Sequence, residues 1–212
     1  MRLYLSSFDI GNQPQQLVSL AGFGKRVALV LNALDNRLEA RNKWLDSQTK
    51  TLRNLGFIVE ELDLRNYFGK EKELQKLLTK IDVVWVNGGN AFILRRAMKQ
   101  SGFDYIITGL IQKNVVVYAG FSAGVVVLSR DLHGLDITDN PNDVPTEYNK
   151  EIEWKGLGII DFSVAVHYES NHPESHLTDK EIEYYKTNNI TYKTLRDGQV
   201  IVINGQSIKT FD

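Results

Sequence analysis

No cysteine occurs anywhere in the 212-residue chain. Its absence excludes a disulfide framework, a thiolate zinc site and a cysteine nucleophile together. Excess charge of one sign is lacking too: 25 basic against 26 acidic side chains leave a formal net charge of −1. No electrostatic footprint therefore points to nucleic acid or to an anionic membrane. No apolar run approaches the ~20 residues needed to span a bilayer. The opening Met-Arg-Leu-Tyr-Leu-Ser-Ser-Phe-Asp has no long apolar segment of the signal-peptide kind, so a cytoplasmic protein is expected. Internal repeats, low-complexity tracts and linkers are missing as well. The length suits a single domain over 1–212 with a full-sized core.

What is present alternates. Short β-rich runs at 2–6, 25–31, 57–62, 81–86 and 115–118 are interleaved with helical patterns at 38–55, 71–78, 90–99 and 105–112. The helix over 38–55 places Leu38, Leu45, Leu52 and Leu55 on one face and stops at Gly56, a favourable residue just past a helix end. This βαβα progression predicts a mostly parallel sheet with helices on both faces. The stretch 128–156 is polar and rich in Asp, Asn and Pro, longer than an idle loop ought to be. Beyond it, strands are expected at 162–166, 190–195 and 200–203 and a helix at 178–187. Asn204-Gly205 reads as a tight hairpin turn into a last strand at 207–210.

Active sites of open parallel sheets lie at the carboxyl ends of the strands. Three features fall there. The run Val115-Val116-Val117-Tyr118-Ala119 leads into Gly120-Phe121-Ser122-Ala123-Gly124, and an apolar helical stretch follows. That is the context of a nucleophile elbow, where the flanking glycines make room and the serine hydroxyl is lifted clear of the sheet. Asn87-Gly88-Gly89-Asn90 follows the strand at 81–86. It reads either as a plain turn capped by Asn90, or as an oxyanion hole in which the Gly89 amide pairs with that of Ala123. Of the four histidines, His133, His167, His172 and His176, only His167 ends an apolar strand. It is the candidate general base, and its ring is expected within hydrogen-bond reach of Ser122. His172 and His176 are spaced i, i+4, but Pro173 lies between them, so they read as solvated loop residues and not as metal ligands. For the acid that orients the base, Asp197 competes with Asp136, Asp139, Asp143 and Glu169. Asp197-Gly198 also has the sequence of an ordinary turn.

Together, Gly88-Gly89-Asn90-Ala91-Phe92, Gly120-Phe121-Ser122-Ala123-Gly124, His167-Tyr168 and Asp197-Gly198 before an apolar strand resemble the dipeptidase E (aspartyl dipeptidase) family of serine peptidases. The resemblance covers nearly the whole chain. It implies an α/β, flavodoxin-like three-layer sandwich with a mostly parallel sheet and a C-terminal hairpin, akin to class I glutamine amidotransferases. It implies a serine-type hydrolase of short peptides, with Ser122 as nucleophile, His167 as base and Asp197 at the position of the family's acid turn. Asp136, Asp139 and Asp143 stay open as counterparts of an aspartate that the family places after the elbow. No cofactor or metal is implied, and a homodimer is left open. In the resembled enzymes an arginine after the histidine is thought to read an aspartyl side chain. The corresponding Glu174-Ser175-His176-Leu177-Thr178-Asp179-Lys180 contains none, so a hydrolase without strict preference for N-terminal Asp is expected, with His176 and Lys180 as the nearest cations. Alternatives are a cyanophycinase-like peptidase, an esterase, or a non-catalytic ligand-binding protein on the same fold.

Overall fold

The computed structural model describes residues 1–212. In chain order the elements are β1 (Arg2–Ser6), α1 (Pro14–Ala21), β2 (Arg26–Val30), α2 (Leu38–Asn54), β3 (Ile58–Glu61), α3 (Glu71–Leu78), β4 (Val83–Val86), α4 (Ala91–Ser101) and α5 (Phe103–Gln112). They continue with β5 (Val117–Phe121), α6 (Ala123–Val126), β6 (Ser163–Ala165), α7 (Ser175–Thr187), β7 (Tyr192–Thr194), β8 (Val200–Asn204) and β9 (Ser207–Phe211). Seven strands form one sheet in the order β3-β2-β4-β5-β1-β8-β9. The first five run parallel, and β8 and β9 close the edge as an antiparallel hairpin. This is the sandwich expected from the alternating pattern. No helix is long and apolar enough to cross a membrane.

Period-two alternation sends each strand's side chains to two different layers. Leu3, Leu5, Val84, Val86 and Tyr118 face a core of 39 buried residues under α3, α4 and α5. Tyr4, Val83, Trp85, Val117 and Ala119 face a second core of 17 under α1 and α2. Strands β4 and β5 are buried along their whole length, which explains their unbroken apolar sequence. Each fully buried Leu or Val contributes roughly 1.5–3 kcal/mol by leaving water.

Four features depart from the sequence reading. Helix α1 was not foreseen, although Pro14 at its first position is a start signal. Leu38 is exposed, and α2 instead turns Arg41, Gln48 and Leu52 inward, with Arg41 held by Asp35 at 3.0 Å and Gln48 by Asp9 at 2.6 Å. The elbow helix is a single turn, Ala123–Val126. Strands β6 and β7 do not join the main sheet but pair with each other in parallel, Ala165 opposite Thr194. The segment 128–156 is tied down by its own backbone carbonyls. Buried Arg95 and Arg96 of α4 donate to the carbonyls of Lys155 and Glu151, both at 2.9 Å, and Arg96 donates to Pro141 at 2.7 Å.

Candidate active site

Strand β5 carries the chain to Ser122, which adopts φ 48° and ψ −117°. A non-glycine residue there is strained, and such strain collects at functional sites. The neighbours make it possible. A Cβ on Gly120 or Gly124 would lie 2.3 Å or 2.2 Å from the Val86 carbonyl oxygen. Only glycine lets the elbow press against β4. Ser122 is half-buried, and its hydroxyl has no hydrogen-bond partner within the protein.

Beside it, β4 ends in Asn87-Gly88-Gly89-Asn90. Both readings of this turn hold at once. Asn90 caps α4, its Oδ1 accepting from the amides of Phe92 and Ile93. Gly89 has φ 138°, and a Cβ there would meet the Ala33 carbonyl oxygen at 2.5 Å. The amides of Gly88 and Gly89 donate to no acceptor in the chain. Ala123 opens α6, so its amide is one of the unpaired N–H groups of a helix start.

His167 follows β6 and is 2 % exposed, with φ 58°. Its Nδ1 lies 2.7 Å from Asp197 Oδ1. Ser7, at the end of β1, ties the pair together: its hydroxyl accepts the His167 amide at 2.8 Å and lies 2.9 Å from Asp197 Oδ1. The Asp197 amide donates to Ser170 at 2.7 Å. Burial pushes the Asp197 carboxyl up, but the hydrogen bonds and positive field from His167, with the bond from Ser7, outweigh it and hold the group below its ordinary value. Of the candidate carboxylates, Asp197 is thus the one that contacts His167. Asp136 binds the Gly134 amide, Asp143 faces Asn36 and Asn140, Asp139 accepts the Ala91 amide, and Glu169 pairs with Arg196 on the surface.

Ser122 and His167 line the same cavity of about 150 Å³, together with Gly88 and Gly89. No hydrogen bond joins the hydroxyl to the ring, contrary to the sequence-based expectation. Ser122 and His167 follow strands of different sheets, and hydrogen bonds of this kind are often long in a ligand-free site. Phe8, Trp44 and Phe121 form an aromatic wall, with Trp44 and Phe121 5.2 Å apart. A larger hollow of about 730 Å³ lies beyond β7, lined by Tyr168, Asp179 and Lys193, but no serine or histidine faces it.

Several residues of the site were not read from the sequence. His172 is no solvated loop residue. It stacks on His167 with ring centroids 3.7 Å apart and planes 7° apart, and it lines the cavity. Burial, and then the positive field of His167, hold its pKa below the ordinary histidine value. Atoms of His167, His172 and Glu174 lie within 4.8 Å of one another, the spacing of a metal set. Both Nδ1 atoms are already engaged, however, that of His167 with Asp197 and that of His172 as acceptor of the Glu174 amide. His176 is exposed, with Nδ1 against the Pro173 carbonyl at 2.8 Å, and Lys180 is exposed too. Neither lines the cavity; Arg37, just before α2 and free of any acidic partner, does.

Comparison with known proteins places this geometry in context. The sequence profile described as peptidase family S51 matches residues 13–211. An uncharacterized peptidase of Listeria monocytogenes is 29% identical over 187 residues, 88% of this chain and 86% of its own. A protein of Drosophila melanogaster described as a probable alpha-aspartyl dipeptidase is 25% identical over 170 residues, 76% of this chain and 65% of its own. Among solved structures, a candidate peptidase E protein from Listeria monocytogenes superposes with a TM-score of 0.79 at 25% identity, covering 99% of this chain and 97% of that one.

Proposed function

The chain belongs to peptidase family S51, and from that premise we propose that it is a serine peptidase acting on short peptides through an acyl-enzyme. The carrying observation is the 2.7 Å contact of His167 with Asp197 in the wall of the cavity that holds the strained Ser122. Asp197 fixes the ring so that Nε2 is left free for the nucleophile, and its anionic state stabilises the imidazolium that forms.

The steps follow from the groups present. His167 Nε2 takes the Ser122 proton as Oγ bonds to the scissile carbonyl carbon. The carbonyl oxygen gathers negative charge, which the amides of Gly89 and Ala123 hold. The intermediate collapses by breaking the C–N bond, and His167 gives its proton to the departing amine. Water, deprotonated by His167, then attacks the ester on Ser122. The acid is released and the proton returns to Oγ. These steps use side chains and backbone alone. The narrow cavity and its aromatic wall favour short substrates over folded proteins.

The test is labelling by a fluorophosphonate together with activity on a dipeptide library, each measured with Ser122→Ala beside it. Labelling of the native chain, and loss of about 10⁴-fold or more of turnover in the variant with its fold intact, is expected. Retention of most activity by Ser122→Ala would overturn the assignment.

A further inference from the structure

Arg37 breaks the local rules of its position. It is the capping residue of α2, with φ −135° and ψ 71°, and its side chain makes no hydrogen bond to the helix start. Such positions favour Ser, Thr, Asp or Asn, whose oxygens accept the free amides of the first turn. A cation there also opposes the positive end of the helix dipole. The backbone is nevertheless fixed: the Arg37 amide donates to the Leu34 carbonyl at 2.8 Å, and the Arg37 carbonyl accepts the Arg41 amide at 2.9 Å. Arg41, Arg65, Arg95 and Arg196 all have ion pairs, whereas the Arg37 guanidinium has none. Asp143 is taken by the adjacent Asn36, and Glu174, the acidic side chain of the cavity, faces His172 at 4.0 Å. A residue that costs helix stability and gains no partner within the chain is expected where function uses it.

Arg37 is exposed and lines the cavity that holds Ser122, Gly88 and Gly89, so it stands at the cavity mouth. We propose that Arg37 binds the free α-carboxylate of the residue that departs with the amine, which favours dipeptides over longer chains. The inference rests on the reading of Ser122 as nucleophile.

Chemistry is the first argument. A planar guanidinium grips a carboxylate through two parallel hydrogen bonds and stays charged at any working pH. Room is the second. A cavity of about 150 Å³ is the size that takes a benzene ring, so it holds one side chain against Phe8, Trp44 and Phe121. The recess on the other side of Ser122 measures about 20 Å³, too little for a side chain. Trp44 follows Arg37 by two helical turns, which puts wall and cation on one side of α2. Position is the third. His167 gives its proton to the departing nitrogen and lines this same cavity. The carboxylate is separated from that nitrogen by one Cα, so it falls within the cavity or at its mouth. The field of Arg37 reaches as far as the Asp139 carboxyl behind Ser122. A longer peptide would offer Arg37 a neutral amide instead.

The experiment compares Ala-Leu, Ala-Leu-NH₂ and Asp-Leu-NH₂ on the native chain, Arg37→Ser and Arg37→Lys. Fluorophosphonate labelling of each preparation reports Ser122 independently of any carboxylate. The native kcat/KM for Ala-Leu should exceed that for Ala-Leu-NH₂ by about tenfold or more. Arg37→Ser should bring the ratio to within about threefold, and Arg37→Lys, a point charge without the fork, should keep part of it. Serine is also the better cap, so Tm should rise by about 2–4 °C as discrimination is lost. A fall in Tm would make Arg37 a structural residue and overturn the inference. So would a labelled native enzyme that cleaves acid and amide equally, or a ratio that survives Arg37→Ser; either leaves the serine assignment standing. An advantage of Asp-Leu-NH₂ over Ala-Leu-NH₂ that vanishes in Arg37→Ser would show that Arg37 reads a side chain, and would overturn it too. Failure of labelling removes both readings.

Discussion

Replacing Gly124 by alanine tests the elbow through its sterics. The added Cβ would lie 2.2 Å from the Val86 carbonyl oxygen. Carbon–oxygen contacts settle at about 3.3 Å, so the elbow and β4 must part by about 1 Å. Val86 cannot yield easily, because it is paired on both sides, with Val30 in β2 and with Gly120 in β5. Overpacking of this kind costs about 1–3 kcal/mol, which in a chain of this length lowers Tm by roughly 2–12 °C. Displacing a nucleophile by about 1 Å costs about a hundredfold in rate. The assay is thermal unfolding by circular dichroism together with kcat and KM on a dipeptide. Gly109→Ala is the matched control, since it lies within α5 with nothing within 4 Å of the added methyl. There alanine should be neutral or stabilising by about 0.5–1 kcal/mol. A Gly124→Ala protein with native Tm and native kcat would refute the steric argument, and with it the account of why Ser122 is held where it is.

Asp197→Asn should leave the fold intact and lower kcat by about 10⁴-fold, because an amide cannot stabilise the imidazolium; a milder effect than that of Asp139→Asn or Asp143→Asn, measured in parallel, would place the acid elsewhere. His172→Ala should lower kcat about threefold to tenfold by uncovering one face of the base, and His172→Phe should restore most of it through the aromatic stack; no rescue by phenylalanine would show that the ring nitrogens, not the stack, matter. Burial pushes the carboxyls of Asp139 and Glu181 up, to about 7 and about 8; for Asp139 the Ala91 amide and the field of Arg37 oppose this while Glu174 and Asp143 add to it, and for Glu181 the Tyr185 hydroxyl opposes it while Asp139 and Glu174 add to it. In the unfolded chain both titrate near 4, so the folded chain holds extra protons between. Their contribution to stability is full below about pH 4 and is lost as pH rises through about 7 to 8. Glu181→Gln should therefore lose less Tm than the native protein between about pH 5 and about pH 9, and identical slopes would contradict the assignment.

The parts of the site that were legible in the sequence are those written as local turns at strand ends. Gly120 and Gly124 around Ser122, Gly88-Gly89 before Asn90, His167 after an apolar run and Asp197 before Gly198 each announce a backbone event within a few residues. What was not legible is brought in by topology. Ser7 reaches Asp197 across 190 residues of chain only because β1 pairs with both β5 and β8. Arg37 and Trp44 lie just before and on a helix whose apolar pattern pointed elsewhere: Leu38 looked like a core position and is exposed, while Arg41 and Gln48 point inward with partners that no periodicity reveals. Asp139 and Glu181 meet behind Ser122 from a loop and a helix far apart in the chain; Asp139 was legible only as one of several candidate acids, and nothing local marks Glu181.

The separation of the small β6–β7 sheet from the main one has a consequence for how the enzyme loses activity. Ser122 ends a strand buried in the middle of seven, whereas His167 follows a two-stranded ribbon that sends Val164 into the main core but rests its other face on a small cluster of Ala165, Ile182 and Tyr185. Regions less enclosed than the middle of a sheet open at lower free energy than the global transition. The ribbon is expected to open before the central sheet, and warming should move His167 away from Ser122 while the larger sheet still protects its amides from exchange. Inactivation would then precede denaturation, and activity would report the docking of the ribbon and not the survival of the fold.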